Sequence, residues 1–238
     1  MKRGKLILGF LKKIWFCSAC ILLSLFSGCS ISNEFNIKNL AKTGIDEVSE
    51  IHMQQVNFLL RDLTEKLYKK NPAELKKNID QTIESRINRI FNCPPNKNIA
   101  ELDNKEVTEA ILLGFEPSYK GDRIFAMMYG LYTMIHKSYN SKCEFFIPDS
   151  LNEQSLYNSA RNIEIFVWRL NTRLKENGQP MILTNSLDGE IKNLSYERIF
   201  GKLISLQDTM ALIVSRKTGR IIKEAVIFAG MAFLPIGL

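Results

Sequence analysis

The sequence predicts an all-α fold, a single bundle of about seven helices, on two observations. Apolar residues recur three and four apart through most of residues 45–217, which is the spacing of one face of a helix. The stretches that show this spacing begin and end on capping residues, whereas alternating apolar and polar runs are missing. Residues 143–148, Cys-Glu-Phe-Phe-Ile-Pro, can be extended but are too few to argue a sheet.

The first helical stretch starts at Ile45, where Ile45, Val48, His52, Val56, Leu59, Leu63 and Leu67 form one stripe. Asn71-Pro72-Ala73-Glu74 reads as the next start, with Asn as N-cap, Pro at the first position and Glu at the third. Leu75, Ile79, Ile83, Ile87 and Ile90 then continue a second stripe up to Pro94-Pro95, where proline excludes helical angles for its predecessor. Residues 45–70 and 72–92 are thus expected to form a helical hairpin. A shorter helix is expected over 99–114, with Val107, Ile111 and Leu112 inward. Gly121-Asp122 opens a segment from Arg123 to Ile135 that is apolar on nearly every side, the pattern of a central buried helix. Ala126 and Gly130, four apart, leave room for another helix to approach. Ser150-Leu-Asn-Glu153 has the form of a capping box. The helix after it carries Leu156, Ala160, Ile163, Val167, Leu170 and Leu174 and is expected to stop at Asn177-Gly178. Residues 179–193 read as a loop. A last long helix is expected from Ser195 to Lys217, stopped by Gly219. The apolar piece from Ile221 to Leu234 ends at Pro235.

The N-terminus is a separate matter. Residues 1–13 hold Lys2, Arg3, Lys5, Lys12 and Lys13 and no acid, and Ile14 to Phe26 is an uncharged run of 13 residues. Spanning a bilayer takes about 20 apolar residues, whereas a short run behind a basic stretch is the pattern of a secretory signal peptide. The run ends in Leu25-Phe26-Ser27-Gly28-Cys29. This string resembles the lipobox of bacterial lipoproteins, with Phe26 where that pattern prefers Leu. The resemblance covers residues 1–30 and is silent about the rest of the chain. It implies cleavage before Cys29, acyl chains on that cysteine and, because Ser30 rather than Asp follows, lodging at the periplasmic side of the outer membrane. Two or three chains are needed for firm anchoring, since each buried CH₂ contributes about 0.8 kcal/mol. The chain then divides into a signal peptide (1–28), a lipidated tether (29–44) and an all-α periplasmic domain (45–238).

Cleavage changes the charge argument. The chain has 32 Lys and Arg against 25 Asp and Glu, but residues 1–28 contain five of those bases and none of the acids. Residues 29–238 are close to neutral, so net charge offers no case for nucleic-acid binding. Of the cysteines, Cys17 and Cys20 leave with the leader, and Cys93 and Cys143 remain beside the lipidated Cys29. An oxidising periplasm favours a Cys93–Cys143 disulfide, worth roughly 4 kcal/mol in the chain-entropy picture; two buried free thiols are the alternative.

Chemistry-bearing patterns are sparse. His52 and His136 are the two histidines, with no His-Glu-x-x-His or paired-cysteine spacing, so no metal site and no cofactor are expected. His52 on an apolar stripe reads as a hydrogen-bonded core histidine. Lys217-Thr218-Gly219 resembles the Lys-Thr-Gly triplet of penicillin-recognising enzymes, but no Ser-x-x-Lys accompanies it; it reads as a helix stop. The better lead is polar residues on apolar faces. Gln207 interrupts the stripe Ile199/Phe200, Leu203, Met210, Val214, with Asp208 at its edge. Glu164 lies among Ala160, Val167 and Trp168, with Arg161 one turn back. Facing one another, Arg161, Glu164, Gln207 and Asp208 form either a structural network or a ligand pocket with a catalytic carboxylate. Residues 225–234, uncharged for ten residues, read as a core helix or as a segment that meets a partner or a membrane.

Three functions follow from this reading: a structural or protein-interaction component of the cell envelope, a binder of small or apolar ligands within the bundle, and an envelope enzyme using a carboxylate. The anchor favours the first. Cys29→Ser should abolish incorporation of labelled palmitate in cells; continued labelling would refute the lipobox reading.

Overall fold

The computed structural model describes residues 44–146, 151–184, 193–225 and 232–237. The leader, Cys29 and the tether up to residue 43 lie outside them, as does Ser150 of the expected capping box. The described residues form α1 (Gly44–Lys70), α2 (Pro72–Leu75), α3 (Ile83–Ile90), a 3-10 turn (Ala100–Leu102), α4 (Val107–Phe115), α5 (Arg123–Ser138), α6 (Glu153–Thr172) and α7 (Ser195–Thr218). The all-α expectation holds: among the described residues β-pairing is limited to a single isolated bridge, Leu174 with Pro180.

The long first helix follows its stripe. Val56, Leu59, Leu60, Leu63 and Leu67 are buried on one face of α1, Asp46 and Glu47 stand in its first turn, and Lys69 and Lys70 in its last, each charge opposite the helix-dipole end it neutralises. The expected second arm of a hairpin is instead broken in two. The chain leaves α2 at Leu75, passes through Asp80 at φ 61° and re-enters a helix only at Ile83. The restart is made by Thr82, whose hydroxyl accepts from the Ser85 N–H while the Ser85 hydroxyl accepts from the Thr82 N–H, both at 3.0 Å. That reciprocal cap outcompetes the apolar spacing, and Ile79 is left 87% exposed. Asn71 does not cap α2. Its amide instead brackets the backbone of Leu183, accepting from its N–H at 2.8 Å and donating to its carbonyl at 2.9 Å.

The expected 99–114 helix is likewise two pieces, the 3-10 turn and α4. Ile111 is fully buried as expected, whereas Leu112 faces solvent and Leu113 and Phe115 point inward. Helix α6 stops at Thr172, earlier than the Asn177-Gly178 signal. Beyond it, Gly178 turns the chain with φ 76°, so that Met181 and Ile182 become buried. Helix α7 ends as expected, on Gly219 at φ 71°.

At the centre stands α5, in which every residue except Lys137 is buried. It packs against α1, α3, α4 and α6, while α7 closes the other side against α6 and α1. The α4–α5 pair is the closest. A Cβ on Gly130 would come within 2.6 Å of the Ile111 nitrogen and the Val107 carbonyl oxygen of α4, and one on Gly114 within 2.5 Å of Met127 Cγ of α5. The two helices run antiparallel at a distance that only hydrogen at those Cα positions permits. At both ends α5 also caps α4. The Val107 N–H donates to Thr133 Oγ1 at 3.0 Å, and Arg123 donates to the carbonyls of Gly114, Glu116, Pro117 and Tyr119 at 2.7–3.2 Å, satisfying groups a helix end leaves open. Val107 takes φ 54°, a rare angle for a β-branched residue.

Gly130→Ala meets backbone atoms that cannot move aside, so it should lower stability by about 1–3 kcal/mol. Gly201→Ala, on exposed helix with nothing within 4 Å, should raise it by about 0.5–1 kcal/mol. Urea unfolding of the two variants checks this; equal shifts would refute the close-approach account.

Candidate functional site

The four polar residues expected to form one network separate into two groups. On the outside of the α6–α7 pair, Arg161 Nη2 donates to Asp208 Oδ2 at 2.7 Å and to Glu164 Oε1 at 3.1 Å, with its guanidinium 5.0 Å from the Tyr157 ring centroid. Glu164 and Asp208 remain 37% and 35% exposed. Glu164 therefore does not sit on the apolar face its neighbours suggested. Partial burial raises the pKa of both carboxyls, and Arg161 pulls each back. Ion pairs this open to water contribute about 0–1 kcal/mol each. Their chief effect is to fix where α6 lies along α7.

Gln207 is fully buried and belongs elsewhere. Its Oε1 accepts from Ser159 Oγ at 3.0 Å, while its Nε2 and the nearby Tyr139 hydroxyl are buried without a hydrogen bond among the described residues; burial pushes the Tyr139 pKa up and Gln207 draws it down. Here the interrupting glutamine is a core polar node between α6, α7 and the end of α5.

The face of α6 that carries Gln154, Asn158 and Asn162, each four residues from the next, holds the C-terminal chain. Gln154 donates to the Lys223 carbonyl at 3.0 Å and accepts from the Lys223 N–H at 2.8 Å. Asn158 donates to the Pro235 carbonyl at 2.9 Å. Asn162 brackets Leu234 by the same two-bond contact as Gln154, donating to its carbonyl at 2.9 Å and accepting from its N–H at 2.6 Å. Ser155 Oγ accepts from the Gly237 N–H at 3.1 Å. Residues 221–225 and 232–237 are not helical; they are irregular backbone held by side-chain amides. The core-helix expectation for 225–234 does not hold at its described ends, and residues 226–231 lie outside the described residues. A groove of about 600 Å³ borders this segment, lined by Glu106, Glu109, Lys137 and Phe233 among others.

A third cluster had no sequence signal. Arg86 of α3 is fully buried. It makes two 3.0 Å hydrogen bonds to the Glu101 carboxylate, lies 3.1 Å from Asp122 Oδ2 and stacks 3.6 Å from the Phe125 ring centroid. Tyr68 of α1 donates to Asp122 at 2.8 Å, and Asp122 Oδ1 accepts from the Phe125 N–H at the start of α5. Burial opposes the charge on Arg86, but Glu101, Tyr68 and Asp122 outweigh it and its pKa is raised. Burial pushes the Asp122 carboxyl up, against the pull of the Phe125 amide, Arg86 and Tyr68. Residue type and spacing alone make Arg86 one polar residue of an amphipathic helix; only the tertiary meeting of α1, α3 and α5 reveals it.

Cys93 and Cys143 are joined by a disulfide, S–S 2.05 Å, and both are exposed on their outer side. Beneath them lies His136, buried, with Nε2 3.3 Å from Cys93 Sγ and 3.9 Å from Cys143 Sγ. Burial lowers its pKa, opposed by a hydrogen bond to the Lys142 backbone. His52 is half-buried at the α1–α7 contact. Burial lowers its pKa too, against a hydrogen bond to the Leu206 backbone.

No family model, curated protein or solved structure matches this chain. The site must be read from its own residues.

Asn162→Ala leaves the Leu234 N–H and carbonyl without their partner, a loss of about 1–3 kcal/mol. Amide exchange at residues 232–237 should accelerate by about tenfold or more, while α5 stays protected. Unchanged exchange at Leu234 would show that the amide contacts do not hold the segment.

Proposed function

We propose that this protein is a lipid-anchored component of the bacterial cell envelope, held at the periplasmic side of the outer membrane and acting by structure and protein contact rather than by catalysis. The observation that carries this reading is the N-terminal string: five bases, 13 uncharged apolar residues and Ser27-Gly28-Cys29. The Cys93–Cys143 disulfide supports it independently, since such bonds persist in oxidising compartments. The polar clusters support it as well. Arg86, Gln207 and the Arg161 trio are each engaged with side chains from another part of the chain, the arrangement of groups that position helices.

The contact surface in this reading is the C-terminal segment, residues 225–234, whose flanks are fastened to α6. An exposed apolar feature among the described residues is Phe58 of α1, 66% exposed, beside a shallow groove of about 650 Å³ that also includes Leu206, Arg198 and Lys202. A photo-reactive amino acid placed at Phe233 or at Phe58 in intact cells distinguishes the two. The expected result is a discrete adduct with one envelope protein from Phe233, lost when Cys29→Ser releases the chain from the membrane. An adduct from Phe58 alone would move the contact to α1. Discrete adducts from neither position, in cells where the chain is lipidated, would overturn the interaction reading.

A further inference from the structure

The histidine under the disulfide has a geometry that core packing does not require. His136 directs Nε2 at the two sulfurs, and its ring also makes a hydrogen bond with the Lys142 backbone that holds it in place. A buried imidazole whose orientation is fixed by a backbone contact while one ring nitrogen faces potential ligand atoms is the arrangement by which proteins prepare histidine for a metal. The distances from Nε2 to the sulfurs, 3.3 and 3.9 Å, bracket the N···S separation of about 3.6 Å that a tetrahedral zinc ion imposes, given Zn–S of about 2.3 Å and Zn–N of about 2.0–2.1 Å.

The two cysteine loops are also held without the disulfide. On one side, Tyr132 donates to the Asn92 carbonyl at 2.7 Å and Tyr129 to the Asn96 carbonyl, fixing the loop around Cys93 on α5. On the other, the Ser141 N–H donates to the His136 carbonyl at 3.0 Å, and the buried Phe145 ring meets Tyr139. Opening the bond therefore leaves both sulfurs beside the imidazole.

We propose that Cys93, Cys143 and His136 are a redox-gated metal site: closed as a disulfide when oxidised and, when reduced, a Cys₂His site for a thiophilic ion such as zinc, with the fourth position open to solvent. Two thiolates and one imidazole suit zinc or cuprous copper over magnesium or calcium, and three protein ligands with an open position are the pattern of sites that bind a further small ligand. The gating reaction needs a dithiol reductant. One of its thiolates attacks a cysteine sulfur, forming a mixed disulfide and releasing the other cysteine as a thiolate. Its second thiolate then displaces the protein sulfur. Two electrons pass to the protein, the reductant becomes a disulfide, and the incoming ion displaces whatever protons the two thiols hold.

Cobalt(II) is the probe, because thiolate coordination gives it a sulfur-to-metal charge-transfer band and tetrahedral geometry intensifies its visible absorption. The full chain, purified in detergent, is reduced with a phosphine under anaerobic conditions and titrated. The reduced protein should bind one cobalt per chain with both signatures, zinc should bleach them, and the oxidised protein should show neither. His136→Gln should weaken binding by about a hundredfold or more, since even outer-shell losses cost about 10–100-fold, and Cys93→Ser, which leaves a single thiolate, should weaken binding and lower the charge-transfer band. A reduced protein that binds no more cobalt than the oxidised one, or a His136→Gln variant that binds as tightly as wild type, overturns the proposal. If reduction alone melts the helices, recovery of the helical circular dichroism on adding zinc supports it and no recovery overturns it.

Discussion

Helix α5 has almost no face toward water, so each polar group along it must find its partner inside the protein. The surrounding structure is arranged to meet that demand. Asp122 at its start takes Arg86 and Tyr68. Arg123 takes four carbonyls at the end of α4. Tyr129 and Tyr132 take carbonyls of the 92–96 loop, Thr133 takes the first amide of α4, and His136 takes the Lys142 backbone. Burial raises the pKa of Tyr129 and Tyr132 to about 12, so both remain donors at any physiological pH. The loops on either side of α5 are thereby held by hydrogen bonds that issue from one helix.

The Arg86 cluster is the most demanding of these contacts. A guanidinium removed from water is costly unless its charge and its donors are matched, and removing one partner of such a set typically costs about 3–5 kcal/mol. Glu101 supplies a two-point contact, Asp122 a second carboxylate and Phe125 an aromatic face. These three come from the 3-10 turn and the start of α5, while Tyr68 reaches in from α1. The break between α2 and α3 makes sense in this light. An unbroken 72–92 helix keeps Arg86 in register with Leu75 and Ile79, whereas restarting at Thr82 frees α3 to bring Arg86 to Asp122. The exposed Ile79 is the residue given up for that placement.

What could be read from the sequence follows the same division between local and tertiary causes. The buried α5, the Gly219 stop, the stripe of α7 and the close approach at Gly130 were legible, because each rests on residue size or spacing within one stretch. Gln207 was legible as an anomaly, since burying a glutamine within an apolar stripe is costly, and its Ser159 contact meets only its oxygen. Its supposed neighbours were not: Glu164 lies past the edge of the buried face of α6, where it is a partly exposed ion-pair member. Asn71 carried every mark of an N-cap, yet its amide is used by Leu183, 112 residues along the chain, a partner no local window contains. Arg86 was invisible for the same reason.

The C-terminal segment shows why apolar composition misled most. Its uncharged run suggested a helix, but its described ends are fixed through backbone groups, by Gln154 at Lys223 and by Asn158 and Asn162 at Pro235 and Leu234. A side-chain amide that both donates and accepts supplies the partners that backbone outside regular structure otherwise lacks. Such recognition is indifferent to the side chains it holds, and packing adds to it where Ile236 is buried, where Ile222 and Phe233 meet the core and where Arg169 lies over the Phe233 ring. It also acts within one chain, so contacts too weak to capture a free peptide suffice to keep this one in place. The described side chains of this segment divide accordingly: Ile236 is buried and Ile222 and Phe233 pack against the core, while Ala232 and Pro235 face water, so the backbone contacts hold the chain where side-chain packing is discontinuous.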